Sequence, residues 1–230
     1  RSEKNLLAIE TNGNAVGICN AAISSNQVWI EGIRINPDFR RKGYASALVM
    51  RAEMLARRKN LRISRMIIAK NNKRSLSMAK HLGYHIEDIW ALYNVLPKRK
   101  KTKARIASKS KGLEELIQSD TFSESWNWFS LEPRILKKLI KQGRIIVYTK
   151  DKKPQAIGVW NNTSKLDDDV IQLGYLNGTC SGIRQILYFI ENKAYEHAKN
   201  RIQILVQDKI NLKVLGLEKR MLFCLVKKEL

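Results

Sequence analysis

The sequence predicts a mixed α/β (α+β) protein of two similar domains, each with a mostly antiparallel sheet flanked by helices. Three observations lead to this prediction. Short apolar segments alternate with turn residues, two longer segments have helical apolar spacing, and both halves repeat the same order of segments. Because the halves share no high residue identity, the duplication is inferred from order and spacing alone.

The first half is predicted to open with a β-hairpin, because strand-like residues 5–10 and 15–24 flank the turn sequence Asn12-Gly13-Asn14. Residues 27–35 form the next strand, and residues 43–59 have helical spacing. The apolar face of this helix is predicted to contain Ala47, Leu48, Met50 or Arg51, Met54 and Leu55. A strand at 64–69, a short helix at 73–82 and one or two strands within 84–96 complete this half.

The second half is predicted to repeat this order. Helices are expected at 131–142 and 183–200, with a short helical turn at 212–215. Strands are expected at 144–149, 155–160, 170–176, 202–206 and 221–226. In the longer helix, one face carries Ile183, Ile186, Leu187, Ile190 and Ala194, which is the spacing of a core-facing stripe.

A basic segment predicts the domain boundary. The chain has a net charge of +22, and residues 98–111 contain eight basic and no acidic side chains. We therefore predict a first domain at 1–97, a basic linker at 98–111 and a second domain at 112–230. The linker is either a solvated connection or an arm that binds a polyanion such as nucleic acid, although it lacks aromatic residues for base stacking.

The composition excludes several classes of protein. Apolar residues make up 44% and charged residues 28%, which is typical of a globular chain. No apolar run is long enough to span a membrane, and no leader sequence follows Arg1. The three cysteines and three histidines are scattered, so we expect no metal site and a reduced, cytoplasmic location.

The most informative segment joins the strand at 27–35 to the following helix. It reads Ile33-Arg34-Ile35-Asn36-Pro37-Asp38-Phe39-Arg40-Arg41-Lys42-Gly43-Tyr44-Ala45-Ser46. Gly43 permits an unusual backbone conformation, and the first turn of a helix has unpaired N–H groups and partial positive charge. With three basic residues beside it, this loop is typical of a pyrophosphate site, although it matches neither common phosphate-loop motif.

Three sequence elements resemble the GCN5-related N-acetyltransferase (GNAT) family. Arg40-x-x-Gly43-x-Ala45 is similar to its Arg/Gln-x-x-Gly-x-Gly/Ala signature, and Ile33-Arg34-Ile35-x-Pro37 looks like the preceding strand. Asn72-x-x-Ser75-x-x-x-Ala79-x-His81-x-Gly83-Tyr84 is similar to a downstream family element. The second half lacks the signature around 177–182, so it resembles a degenerate copy. The resemblance implies the acyl-CoA N-acyltransferase fold in tandem.

The resemblance implies acetyl-CoA as the cofactor and assigns its contacts. The pyrophosphate would contact Arg40, Arg41, Lys42, Gly43, Tyr44, Ala45 and Ser46. The pantetheine arm would pair with the strand at Ile33, Arg34 and Ile35, whose N–H groups can stabilise an oxyanion. Asn72 and Ser75 match the cofactor-side element. The family also has a strand and two helices before the hairpin; either they lie upstream of Arg1 or the second half replaces them.

Acetyl transfer to an amine requires a base, because an ammonium group is not nucleophilic. Glu31 is the candidate, and simple strand alternation predicts that it shares a face with Ile33 and Ile35. Its alternative role is that of a surface carboxylate balancing nearby arginines.

The acid that would protonate the departing thiolate is less well defined. The family often has a tyrosine where this chain has Ala79, so Tyr84, Tyr93 and His81 are substitutes, with core packing the alternative for Tyr84. Three further aromatics, Trp126, Trp128 and Phe129, form either a substrate cleft or a buried cap.

Two functions from different classes fit these patterns. The first is an acetyl-CoA-dependent N-acetyltransferase acting on an amine of a small molecule or a protein. The second is a non-enzymatic basic module that binds nucleic acid or an acidic protein on an acetyltransferase-like scaffold. The intact Arg40–Gly43–Ala45 motif favours the first, and the charge of +22 keeps the second open.

Overall fold

The computed structural model describes residues 3–24, 26–161 and 169–230, and the chain forms two compact units. The first unit comprises Arg1–Ile89 and Phe223–Leu230, and the second comprises Trp90–Leu222. The mixture of helices with mostly antiparallel strands is the predicted fold class.

The order of the helices and strands agrees closely with the sequence prediction. In the first part of the chain they are β1 (Glu3–Thr11), β2 (Asn14–Ser24), β3 (Gln27–Ile35), α1 (Tyr44–Arg58), β4 (Ile63–Ala69) and α2 (Lys73–His81). Then follow β5 (His85–Val95), β6 (Arg105–Ile106), β7 (Thr121–Glu124), β8 (Asn127–Ser130), α3 (Pro133–Lys141), β9 (Ile145–Lys150), β10 (Lys153–Asn161), β11 (Val170–Gly178), α4 (Cys180–Glu196), β12 (Arg201–Gln207) and β13 (Lys219–Glu229). The hairpin β7–β8 and the short strand β6, which lies in the segment predicted as a linker, are additions that the sequence patterns did not predict.

The sheet of the first unit is antiparallel except at one step. β1 pairs with β2 and β2 with β3 in antiparallel fashion, β3 pairs with β4 in parallel, and residues 223–229 of β13 pair antiparallel with β4. The crossover between the parallel strands contains α1, which is the usual connection for a parallel pair. The loop that precedes α1 therefore lies at the carboxyl end of β3.

The two observed units divide the chain differently from the two predicted domains. Residues 90–97 belong to the second unit, and residues 223–230 belong to the first. Cys224 and Val226 are buried in the core of the first unit, whereas Ala91 and Tyr93 are buried in the core of the second. Residues 90–95 of β5 pair antiparallel with β12. The boundary predicted at residue 97 therefore differs from the observed one, because the apolar side chains of these two strands pack into the core of the other half.

The core of the first unit lies between the sheet and α1. Leu48, Val49, Ala52 and Ala56 of α1 are buried against strand residues such as Val28. The predicted apolar face was partly wrong, because Met50 and Met54 are 47% and 46% exposed. The observed stripe contains small alanines, which let the helix approach the sheet closely.

The second unit has a sheet in the order β5 (residues 90–95), β12, β11, β10, β9, β6, with α4 packed on one face. The predicted stripe on α4 is buried as expected. Trp128, which was predicted either to line a cleft or to be a buried cap, is fully buried and packs edge-on against Trp90 at 5.4 Å between ring centroids. Its environment is that of a core side chain.

Candidate active site

The parallel strands β3 and β4 separate soon after they begin to pair. Their register contains only Gln27↔Ile63, Val28↔Ser64 and Trp29↔Arg65. Over residues 30–35, β3 is paired with β2 and has no β4 partner among the described residues. Beyond Trp29, this edge of β3 therefore presents backbone groups to which an extended ligand can hydrogen-bond like an added strand.

A β-bulge interrupts β3 within this unpaired stretch. Glu31 pairs with Asn20 and Arg34 with Ile18, so two residues of β3 lie opposite one residue of β2. Gly32 has φ +65°, a left-handed conformation that favours glycine at a bulge. The extra residue shifts the alternation of side chains, and every residue after it points to the face opposite to the one that simple counting gives.

The prediction that Glu31 shares a face with Ile33 and Ile35 is therefore wrong. Ile33 and Ile35 pack against the core under α1. Glu31 lies on the other face of the sheet, and the next residue of β3 on that face is Arg34. This follows from the register, because their partners Asn20 and Ile18 are two positions apart on β2. Glu31 is thus removed from the apolar core and can contact a polar ligand.

The Glu31 carboxylate is held by neutral donors. Asn20 Nδ2 donates to Glu31 Oε1 at 2.6 Å, and Trp29 Nε1 donates to Glu31 Oε2 at 3.1 Å. The Lys4 ammonium lies 3.8 Å from Oε1, and the Glu31 side chain remains 29% exposed. These contacts fix the direction of the carboxylate while leaving it accessible to a second cation.

The loop between β3 and α1 has two residues in the left-handed region. After a single helical turn at Pro37–Phe39, Arg41 has φ +63° and Gly43 has φ +81°. Gly43 is the N-cap of α1 and supplies no side-chain cap. The first backbone bond of this helix runs from the Ala47 N–H to the Gly43 C=O, so the amides of residues 44–46 have no acceptor within the helix.

The space at this helix start fits an anionic group. A Cβ atom built on Gly43 meets no heavy atom within 4 Å. Arg40, Arg41 and Lys42 are adjacent, and none of them forms an ion pair within the ranges that the structure describes. Free amides, partial positive charge and unpaired cations are the features with which a helix start binds a pyrophosphate.

Three side chains of the loop also have local roles. Arg40 Nε donates to the Ile35 carbonyl oxygen at 3.3 Å, and the Lys42 ammonium lies 5.0 Å from the centre of the Phe39 ring. Thr11 Oγ1 donates to Tyr44 Oη at 3.2 Å, which links the start of α1 to β1. Tyr44 therefore helps to position the helix.

The predicted cofactor-side residues of the downstream element form a helix cap. Asn72 is the N-cap of α2, and its Oδ1 accepts a hydrogen bond from the Ser75 N–H at 3.1 Å. Ala79 is buried in the core where the resembling family often has tyrosine. The two predicted residues are thus brought together, and both lie at the start of one helix.

The substitute proton donors have different environments. Tyr84 is buried, its Oη lies 2.5 Å from Ser64 Oγ, and burial raises the pKa of its hydroxyl. Tyr93 is buried in the second unit, where burial likewise raises its pKa. His81 is exposed, and its Nδ1 donates to the Ser77 carbonyl oxygen at 2.7 Å. Tyr84 therefore packs in the core of the first unit, which is the alternative role considered for it.

The corresponding helix start in the second unit is crowded by its own chain. Thr179 caps α4, with its Oγ1 accepting from the Gly182 N–H at 3.2 Å. A Cβ on Gly178 would lie 2.3 Å from the Gln155 carbonyl oxygen, and one on Gly182 would lie 2.8 Å from the Ala156 Cβ. Unlike Gly43, these glycines serve close packing of the chain on itself.

The basic segment at 98–111 is bound along α4, which corrects its description as a linker. The Lys100 N–H donates to Asn192 Oδ1 at 2.7 Å, and Asn192 Nδ2 returns a bond to the Lys100 carbonyl at 2.6 Å. Thr102 Oγ1 donates to the Gln185 carbonyl at 2.7 Å. Ala104 and Ala107 are buried, so backbone pairing and apolar burial hold the segment in place.

Two features at the site were missed by sequence reasoning. The Asn20 side chain holds Glu31 from a neighbouring strand, and no local pattern indicates that contact. The bulge at Gly32 could have been found, because an isolated glycine inside a strand often marks a bulge.

Metal and membrane features are absent from the described parts of the chain. There, no three or more His, Cys, Asp or Glu side chains converge as metal ligands would. None of the helices described has the length and apolar character needed to cross a membrane. All three cysteines are free, and burial raises the pKa of Cys19 to about 11.

One protein-family model is similar to the first segment of the chain. Residues 1–84 match the model of the acetyltransferase (GNAT) family. A comparison with curated proteins returns no match. The sequence match covers the separation of β3 from β4, the loop before α1 and all of α2.

Solved structures share the fold over nearly the whole chain. A protein of Thermoplasma acidophilum described as an acetyltransferase has a TM-score of 0.64 at 15% identity, covering 98% of this chain and 78% of that one. A GCN5-related N-acetyltransferase from Sphaerobacter thermophilus has a TM-score of 0.64 at 14% identity, with 95% and 78% covered. A tandem GNAT protein from the clavulanic acid biosynthesis pathway has a TM-score of 0.57 at 12% identity, with 99% and 83% covered. At these identities, the similarity establishes the fold.

Proposed function

We propose that the chain is an acetyl-CoA-dependent N-acetyltransferase, because residues 1–84 match the GNAT acetyltransferase family model and the fold is similar to that of a tandem GNAT protein. The observation that carries the proposal is the separation of β3 from β4 beside the open helix start at Gly43. We further propose that only the first unit binds the cofactor, since the equivalent glycines of the second unit are packed against β10.

The residues of the first unit offer contacts for each part of the cofactor. The amides of residues 44–46, with Arg41 and Lys42, would hold the phosphates. The unpaired backbone of β3 at Ile33 and Ile35 would pair with the pantetheine arm, and its N–H groups would stabilise negative charge on the carbonyl oxygen. When bound, acetyl-CoA supplies the thioester that is attacked by the acceptor amine.

Glu31 is the proposed general base. An alkyl ammonium has a pKa near 10.4, so at neutral pH a proton must be removed before its nitrogen can attack. The carboxylate of Glu31 is oriented by Asn20 and Trp29, and it is accessible on the face opposite to α1. It can therefore take that proton directly or through a water molecule.

Thermal unfolding with acetyl-CoA tests the cofactor site. At about 100 times its dissociation constant, a ligand adds roughly 2.7 kcal/mol to the free energy of unfolding, which raises the Tm by several degrees. The double variant Arg41→Gly/Lys42→Gln should lose most of that increase. The matched control Arg57→Gln/Arg58→Gln removes the same charge from the other end of α1 and should keep it. No increase for the wild type at millimolar acetyl-CoA would refute the proposal.

A second candidate function, binding of single-stranded nucleic acid, is favoured by the basic segment. All eight basic side chains of residues 98–111 are exposed, and none forms an ion pair within the described ranges. Arg99 lies over the ring of Tyr195 at 4.8 Å, so the surface contains a cation and an aromatic ring in contact. Because the segment is bound to α4, this charge is held as one surface.

Salt dependence tests this second function. The logarithm of the association constant for a single-stranded RNA should fall linearly with that of the salt concentration, with a slope of about −0.7 per phosphate neutralised. Lys101→Gln/Lys103→Gln should make the slope less steep by roughly 1.4, because two phosphates are no longer neutralised. Lys150→Gln/Lys152→Gln on the β9–β10 hairpin should leave the slope unchanged. Equal binding to polyglutamate would show that the surface does not distinguish nucleic acid from an acidic protein.

A further inference from the structure

We propose that the acceptor is an α-amino acid with an apolar side chain, whose ammonium group is bound by Glu31 and whose carboxylate is bound by Arg34. This inference rests on the proposed acetyltransferase function and names the substrate class of the same site. It assigns the side chain of Arg34 to the acceptor, while the backbone of that residue remains available to the cofactor.

The sheet register places the residues concerned on one face. Leu6 pairs with Asn20, which pairs with Glu31, and Ala8 pairs with Ile18, which pairs with Arg34. Directly paired residues project to the same side of a sheet. The bulge at Gly32 makes Glu31 and Arg34 consecutive on that face, whereas uninterrupted alternation would have placed them on opposite faces.

The charges of Glu31 and Arg34 complement those of an amino acid zwitterion. The Lys4 ammonium lies 3.8 Å from Glu31 Oε1, which shows that this carboxylate accommodates a primary ammonium group. Arg34 is exposed and forms no ion pair with any described residue. A guanidinium group binds a carboxylate through two parallel hydrogen bonds, so an adjacent carboxylate and guanidinium match the two charged groups of an amino acid.

Apolar side chains lie next to the charged pair. Leu6 is 73% exposed and Ile18 is 38% exposed, and both project from the same face as Glu31 and Arg34. Covering them with an apolar side chain of the acceptor would remove apolar surface from water. A simple alkylamine would use Glu31 and this apolar surface but would leave Arg34 unused.

The transfer step balances with these groups alone. The amino acid ammonium gives one proton to Glu31, and its nitrogen then attacks the thioester carbonyl. A C–N amide bond forms, the C–S bond breaks, and the second proton that leaves nitrogen is taken up by the departing thiolate. The products are an N-acetyl amino acid and a free thiol, and Glu31 returns its proton to solvent. No oxidant or reductant is required.

Paired acceptors test the role of Arg34. Leucine and 3-methylbutylamine differ in the carboxylate, so the change in the ratio of their kcat/KM values between the wild type and Arg34→Gln isolates the Arg34 contact. The wild type should favour leucine by roughly 10- to 100-fold, the range expected for a charged hydrogen bond. Arg34→Gln should lower the preference for leucine over 3-methylbutylamine by at least about tenfold, through a higher KM for leucine. The control Arg58→Gln, an exposed arginine on α1, should retain it.

A binding measurement separates this inference from the proposed function. Calorimetric titration with leucine in the presence of coenzyme A should show binding to the wild type and to Arg58→Gln, and at least about tenfold weaker binding to Arg34→Gln. Equal use of the two acceptors, or an unchanged preference in Arg34→Gln, would overturn the inference and leave the acetyltransferase proposal standing. Loss of the thermal shift with acetyl-CoA would instead refute the function, while the titration would still decide whether Arg34 binds leucine.

Discussion

The Nδ2 atom of Asn20 donates a 2.6 Å hydrogen bond to the carboxylate of Glu31 on the neighbouring strand. Because Asn20 is neutral, it orients the carboxylate without neutralising its charge, and the Lys4 ammonium lies further away, 3.8 Å from Oε1. Together with the Trp29 Nε1 donor, this contact holds Glu31 in one direction on the face opposite to α1. The arrangement suits a base that must meet its proton at a defined place.

Replacing Glu31 should reduce acetyl transfer in a pH-dependent way. Under the proposed function, Glu31→Gln should lower kcat/KM at pH 7 by about 100-fold or more. The deficit should shrink as the pH rises toward the pKa of the acceptor amine, because a growing fraction of the amine is then neutral and needs no base. Rate profiles from pH 6 to 10 measure this. Glu10→Gln on β1 is the control, and a deficit that stays constant with pH would contradict the role.

Replacing Gly43 should destabilise the first unit without creating a clash. An alanine at φ +81° costs about 1–2 kcal/mol of unfolding free energy, although its Cβ meets nothing within 4 Å. Arg41→Gly should show no such loss, because glycine adopts φ +63° readily. The urea denaturation midpoints of Gly43→Ala and Arg41→Gly, compared with that of the wild type, test both expectations. An unchanged midpoint for Gly43→Ala would show that the backbone there is not held in this conformation.

Removing the partner of a buried arginine should be costly. Arg65 is buried and bonds to both carboxylate oxygens of Glu87, at 2.8 and 2.7 Å, and to Gln27 Oε1 at 2.5 Å. Glu87→Ala leaves the guanidinium buried without a counter-charge and should lower the unfolding free energy by about 2–4 kcal/mol. Glu229→Ala breaks a pair between an exposed carboxylate and the half-buried Lys227 and should leave the denaturation midpoint nearly unchanged. Equal losses of unfolding free energy in Glu87→Ala and Glu229→Ala would contradict this expectation.

Releasing the basic segment from α4 should expose it to trypsin. Gln185→Ala/Asn192→Ala removes the side-chain atoms that bond to Lys100, Thr102 and Lys103, while Thr102 keeps its bond to the Gln185 carbonyl. Cleavage within residues 98–111, followed by mass spectrometry, should become several times faster than in the wild type. The Asn71→Ala variant is the control, and cleavage at the β9–β10 hairpin is an internal reference. Rapid cleavage of the wild type within this segment would show that it is not held on the helix.

Local patterns in the sequence determined most of the secondary structure and the loop before α1. The hairpin turn at Asn12-Gly13, the helix start at Gly43 and the capping by Asn72 each depend on residues a few positions apart. Such features are set by backbone sterics and short-range hydrogen bonds, which a single sequence displays. The candidate phosphate site could be predicted for this reason.

Only the tertiary structure decided which face Glu31 occupies, where the basic segment binds and which unit the last strand completes. One extra residue at Gly32 reverses the side-chain alternation after it, so Glu31 joins Arg34 on one face. Residues 223–229 pair with β4, more than 150 positions earlier in the chain, and the segment at Lys100 bonds to Asn192. These outcomes depend on strand register and on contacts between segments that are distant in the chain. The free energy of such pairing and burial is shared among many residues, so no short stretch of the sequence indicates it.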